Sequence, residues 1–176
     1  MVNTGLRKPT NGVLVAGHPL KMEQNIETAT NMYPGRLVKK GTNDDDIVVN
    51  TAAGNASGWL SYEDTKIGKP DDVDSIYKIT AKPVVLYGGG FVVVGHLASG
   101  ENVAKDDYLV GAANGELKKA SAVVIASGAT PVTSGAANGA AIVTGSIPGE
   151  GRILAQAKES VNATSAAADI MVLSFI

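Results

Sequence analysis

His18 and His96 are the only imidazoles in this chain, and it has no cysteine. General-base, nucleophilic and zinc chemistry draw first on those two residue types. Neither histidine has a second histidine or a patterned carboxylate at the short spacings of a metal ligand set. Asp44-Asp45-Asp46 could attract a hard cation, but it lacks the alternating ligands and central glycine of a calcium loop and reads as a turn. Gly88-Gly89-Gly90 invites a phosphate-loop reading, yet a second β-branched run follows it where a helix N-terminus would be needed. No G-x-S-x-G elbow occurs, and Ser57, Ser99 and Ser127 have no histidine close in sequence. A small hydrolase would have to join His96 to a remote serine. The residue types therefore predict no catalytic site, no metal and no cofactor.

The most distinctive side chains are Trp59 and Tyr62, in Gly58-Trp59-Leu60-Ser61-Tyr62-Glu63. They could form a binding hot spot, because Trp and Tyr supply large rigid contact area. They could equally anchor a core that is otherwise poor in bulky side chains, since aromatics make only 5% of the chain. A carbohydrate- or receptor-binding surface would need Trp59, Tyr62 and Tyr87 exposed together.

The elements that must position these residues follow from composition and turn signals. With 176 residues and 44% hydrophobics the chain can bury one core without disulfides or a structural metal. Its 21 glycines and 7 prolines mark a turn-rich chain of small side chains. The net charge of −2 lacks the field of a nucleic-acid binder. The uncharged tract 121–149 is interrupted every few positions by Ser, Thr, Asn, Pro or Gly, which argues against a membrane span. The apolar run Val13 to Ala16 is too short for the core of a signal peptide.

Residues 1–32 read as an extended N-terminal arm, broken by Pro9, Gly12, Gly17 and Pro19. Its candidate partner contacts are Arg7, Lys8, Val13, Leu14 and Val15, with Trp59 and Tyr62 added from the body. Residues 1–40 are basic and 41–76 acidic, which suggests electrostatic complementarity between an arm and its neighbour.

Residues 33–176 read as a β-rich core domain. Strands are predicted at 36–39, 46–51, 58–62, 76–81, 107–110, 116–119, 123–126, 140–144, 152–158 and 169–176. A hairpin is predicted for Pro83 to Tyr87 and Phe91 to Gly95, joined by Gly88-Gly89-Gly90. Turn signals recur at the spacing of sandwiches and barrels, and no segment has convincing helical periodicity. The expected fold is all-β, a small β-barrel or β-sandwich core with the arm attached.

Several of these segments, in order, resemble a family. Tyr33-Pro34-Gly35-Arg36-Leu37-Val38 leads into Gly41-Thr42-Asn43-Asp44-Asp45-Asp46, and Gly58 to Glu63 follows. Then come Leu86-Tyr87-Gly88-Gly89-Gly90-Phe91, Ala98-Ser99-Gly100-Glu101-Asn102-Val103, Asp107-Tyr108-Leu109-Val110 and Gly151-Arg152-Ile153-Leu154-Ala155-Gln156-Ala157. This succession resembles the capsid cement, or head decoration, proteins of tailed bacteriophages. Where that pattern has a glycine before the strand at 107–110, this chain has Asp106. The resemblance implies a non-enzymatic virion protein on the outer capsid surface. Its implied partners are the major capsid protein and neighbouring copies of itself, as a homotrimer, with no nucleic acid and no membrane.

Overall fold

The computed structural model describes residues 7–52, 55–120 and 152–176. Within them the chain is all-β. In chain order the strands are β1 (Leu14–Ala16), β2 (Leu20–Glu23), β3 (Asn25–Ile26), β4 (Leu37–Lys40), β5 (Asp46–Val49), β6 (Gly58–Leu60) and β7 (Val84–Tyr87). They continue as β8 (Val92–Leu97), β9 (Glu101–Val103), β10 (Tyr108–Gly111), β11 (Leu117–Lys119), β12 (Ala155–Ala157), β13 (Val161–Ala163) and β14 (Ala168–Ser174).

Five of these close a barrel: β8 pairs with β11, β11 with β10, β10 with β12, β12 with β14, and β14 returns to β8. Strand β1 adds to β8 beside β11, and β9 with β13 makes a small separate ladder. The other large sheet runs β2-β7-β6-β4-β5-β3. Its two edge strands are separated in sequence by Gln24 alone, so both edges belong to one continuous segment and the sheet rolls round to meet itself.

The central strands of this second sheet are buried on both faces. Val38, Leu60 and Val85 point into its own interior with Ile26, Met32, Ile47, Tyr77 and Ala81. Their chain neighbours Leu37, Trp59 and Leu86, which lie side by side across the strands, point the other way. There they join Val93, Leu97, Leu109, Leu117 and Ile170 of the barrel. This explains why Leu37-Val38, Trp59-Leu60 and Val85-Leu86 carry no polar alternation: neither face meets water. Trp59 is the largest fully buried side chain, and its ring lies against Gly95, where a Cβ would come within 2.8 Å of Cζ3. Its Nε1–H donates to Ser174 Oγ at 2.9 Å, which satisfies the one polar group of the ring.

Three expectations are corrected. The glycine-linked strands do not form a hairpin. β7 is flanked by β2 and β6, while β8 is flanked by β14 on one side and by β1 and β11 on the other, so no edge is left for β7 and β8 to share. Gly88, Gly89 and Gly90 instead carry the chain from one sheet to the other with φ of 100°, 71° and 75°, a left-handed path that favours glycine. The Gly89 and Gly90 amides donate to the Ile176 and Ser174 carbonyls at 2.9 and 2.8 Å.

The described part of the expected arm, residues 7–32, is built into the body. β1 lies on β8, β2 on β7 and β3 on β5, and Val13, Ile26 and Met32 are buried in the cores. Its short strands lack internal periodicity because their partners, distant in sequence, determine where they lie. The strand expected at 76–81 is a loop. Turns closed by Ser75 and Ala81 amides onto Asp72 and Lys78 carbonyls bracket it, and Tyr77 plunges into the second core between Ile76 and Lys78. The strands expected at 123–126 and 140–144, and the tract 121–149, lie outside the described residues. Asp106, in the position where a glycine was expected, adopts φ 72°.

Trp59→Ala should cost about 3–5 kcal/mol in chemical denaturation, because the emptied space lies between two packed sheets that cannot both collapse onto it. Burial also pushes the Tyr77 phenol up to about 12. Its contribution to stability is complete below the ordinary phenol range and is lost as pH rises toward that value. Ultraviolet titration should show one tyrosine of the five ionising only near the alkaline unfolding transition.

Candidate functional site

The seven residues singled out for partner contact are mostly committed within the molecule. Lys8 Nζ donates to the Asp169 carbonyl at 2.7 Å and pairs with Glu159 at 2.8 Å. Val13 is buried, Leu14 and Val15 are half-buried, and Arg7 is exposed. Trp59 is sealed between the sheets. Tyr62 is buried too, with its hydroxyl donating to the Asp71 carbonyl at 3.1 Å and the Lys69 ammonium 4.0 Å above its ring. Trp59 and Tyr62 therefore offer no joint platform with Tyr87 to a sugar ring.

The basic start and the acidic stretch do meet, but inside one chain. Lys21 pairs with Asp64 at 2.7 Å, and Lys40 pairs with Asp44 across the β4–β5 turn. Glu63 completes this strap. Its carboxylate accepts the amides of Val13 and, at 3.0 Å, Leu14. The Val13 carbonyl in turn accepts the Val94 amide of β8 at 2.8 Å. A single side chain from the loop that follows β6 thus supplies acceptors for the segment that lies on the barrel.

His96 and Asp169 are cross-strand partners on β8 and β14. His96 Nε2–H donates to the Pro34 carbonyl at 2.8 Å, and Nδ1 lies 3.0 Å from Asp169 Oδ1. The hydrogen bond from His96 holds the Asp169 carboxyl below the usual carboxylate range, with burial opposing it. With a carbonyl and a carboxylate on its nitrogens, His96 faces no serine or threonine hydroxyl among the described residues. The neighbouring cleft between Pro9, Pro34, Val73 and Asp74 is about 40 Å³, room for roughly one water. His18 is exposed.

Asp44 and Asp46 serve their turn, the latter accepting Asn43 Nδ2 at 2.6 Å. Among the described residues no group of three His, Cys, Asp or Glu is placed to hold a metal. A cavity of about 140 Å³ opens at the mouth of the second sheet between Met22, Ile47, Val85 and Tyr87. That is below the roughly 300 Å³ at which small-molecule sites begin.

What the described surface does offer is exposed apolar side chains in two places. The first comprises Leu20 and Met22 on the second sheet and Tyr108, Ile153 and Phe175 on or beside the barrel. Leu20 and Met22 of β2 lie beside Tyr87 and Val85, and Leu20 also lies against Gly88. The neighbouring Gly89 lies close to the Phe175 backbone, and the Phe175 ring centroid is 6.4 Å from that of Tyr108. The Phe175 amide reaches the Leu154 carbonyl at 2.9 Å, next to exposed Ile153. Leu20 and Tyr108 are 59% and 51% exposed, unlike core residues of either sheet. The second place is the loop between β6 and β7, with Ile67, Ile76 and Ile79.

None of these eight exposed residues was singled out from sequence, where apolar residues in strands read as core. One signal was available: burying Tyr77 turns the flanking Ile76 outward. No family model matches the chain, and no curated protein matches it.

Glu63→Ala should cost about 1–3 kcal/mol, since it leaves the amide of buried Val13 without an acceptor. Hydrogen exchange should accelerate at Val13 and Leu14 first. His96→Ala should return the Asp169 carboxyl toward its ordinary range. Because that pKa is depressed, Asp169 stabilises the fold above the usual carboxylate range and the contribution disappears as acid protonates it. Carboxyl NMR titration of the two proteins checks the sign.

Proposed function

We propose that this chain is a structural virion protein, a cement protein that binds the outer surface of an icosahedral capsid and stabilises the shell. The observation that carries this reading is the set of exposed apolar side chains Leu20, Met22, Tyr108, Ile153 and Phe175, with the Tyr108 and Phe175 rings side by side. The set spans two sheets that share one core, so force applied at one end is transmitted through packed side chains. Its mixture of aromatic, Met and aliphatic side chains is that of an interface core between copies. The ordered run of segments resembling capsid cement proteins supports the same reading.

In this account these side chains join copies into a closed oligomer, a homotrimer, and the oligomer clamps neighbouring capsid subunits. Each contact can be modest, because simultaneous engagement of several copies raises the effective concentration of each. The N-terminal segment enters as part of the clamp's rigid body: strapped by Glu63, Lys21 and Lys8, it stiffens the join between the sheets. Truncating residues 1–20 should therefore lower the melting temperature as well as weaken shell binding.

Two measurements test the proposal. Purified protein added to expanded shells that lack it should bind and raise the temperature at which they rupture. Tyr108→Asp combined with Phe175→Asp should shift the mass seen by light scattering from oligomer to monomer while the circular dichroism spectrum is unchanged. A wild-type chain that stays monomeric and ignores shells refutes the reading.

A further inference from the structure

Asparagine followed by glycine is the pair most prone to deamidate, because no side chain on the second residue shields its amide nitrogen from the asparagine Cγ. The described residues hold two such pairs, Asn11-Gly12 and Asn114-Gly115, and the fold treats them in opposite ways. A third, Asn138-Gly139, lies outside the described residues.

At Asn114-Gly115 the groups that would react are engaged. The Gly115 amide, which would be the nucleophile, donates to the carbonyl of buried Asn50 at 2.9 Å. Asn114 Oδ1 accepts Asn31 Nδ2 at 3.0 Å, and the Asn114 carbonyl accepts the Arg36 guanidinium at 2.6 Å. The residue itself is held at φ 57° and ψ 25°. Swinging its Cγ onto the Gly115 nitrogen would break several of these bonds together.

Asn11-Gly12 has no such protection. Asn11 is exposed, and among the described residues neither its side chain nor the Gly12 amide makes a hydrogen bond. Gly12 is nevertheless fixed in identity. A Cβ there would come within 2.5 Å of Glu63 Oε1, the oxygen that accepts the Val13 and Leu14 amides. The strap thus demands the glycine, while nothing described demands the asparagine before it.

We propose that Asn11 is a self-modification site whose conversion loosens the N-terminal strap. The Gly12 nitrogen, giving up its proton to solvent base, bonds to Asn11 Cγ, and the side-chain nitrogen leaves as ammonia, which forms a succinimide. Water then opens either carbonyl of the ring, to an aspartyl or an isoaspartyl residue. Both products set a new carboxylate beside the residue that packs on the Glu63 carboxylate, where like charges repel. The isoaspartyl form also adds a methylene to the main chain just ahead of Gly12. The Val13 and Leu14 amides are thereby displaced from their shared acceptor, with no enzyme and no partner required.

The test holds the full chain in mildly alkaline buffer at body temperature and samples it over weeks. Each sample is mapped by mass spectrometry, labelled with isoaspartyl methyltransferase to mark the isomerised product, and followed by hydrogen exchange. Asn11 should convert at least tenfold faster than Asn114 in the folded chain, and the gap should close in urea, where both pairs are free. As Asn11 converts, exchange at Val13 and Leu14 should accelerate in proportion, and Asn11→Gln should abolish both changes. Asn11 converting no faster than Asn114 in the folded chain, or a gap that survives in urea, overturns the assignment of the site. Conversion that leaves exchange at Val13 and Leu14 unchanged overturns the loosening.

Discussion

Burial of the second sheet on both its faces is the constraint from which the rest of this structure follows. Leu37, Trp59 and Leu86 have to be covered by another body, because the opposite face of the same strands is already occupied by Val38, Leu60 and Val85. The closed barrel supplies that cover, and Gly95 is where its backbone yields to the Trp59 ring. The Ser174 hydroxyl that receives the indole N–H also donates to the Ile176 carbonyl at 2.8 Å. The end of the chain is thereby fixed to the same seam. The two sheets therefore form one packed unit with one main core, and surface features on either are held at fixed distances from each other.

How much of this was legible depended on the range of the interaction. The turn at Gly41 to Asp44 and the runs at 84–87 and 92–95 were readable, because glycine, asparagine and β-branched side chains fix local backbone by themselves. Which strand lies beside which was not. Val84 to Tyr87 and Val92 to Gly95 have the pattern of a hairpin, yet each pairs with strands far away in sequence, and Gly88-Gly89-Gly90 serves a change of sheet as readily as a tight turn. Leu20 to Glu23 reads as an arm for the same reason. Lys21 and Glu23 give it little apolar character of its own, and it becomes a strand by virtue of Tyr87, Leu86 and Val85 opposite.

The candidate contact residues failed in an instructive direction. Trp59 and Tyr62 stand out in sequence because aromatics are scarce here, and scarcity is also why the core consumes them. Charge asymmetry between the first forty residues and the following acidic stretch was legible, but a one-dimensional pattern cannot tell an intermolecular attraction from Lys21 meeting Asp64 within one chain. The exposed isoleucines around Tyr77 are hidden by the same ambiguity, since alternation says that two sides differ and not which side is wet.

The proposed reading comes down to a rigid double-sheet body whose exposed aromatic and aliphatic side chains form contacts with other chains. An electron cryomicroscopy reconstruction of the native virion tests it most directly. The account predicts density for this chain standing on the outside of the shell, with Tyr108 and Phe175 against a neighbouring copy. A shell bare of this density, or copies standing apart with Tyr108 and Phe175 in open solvent, would contradict it.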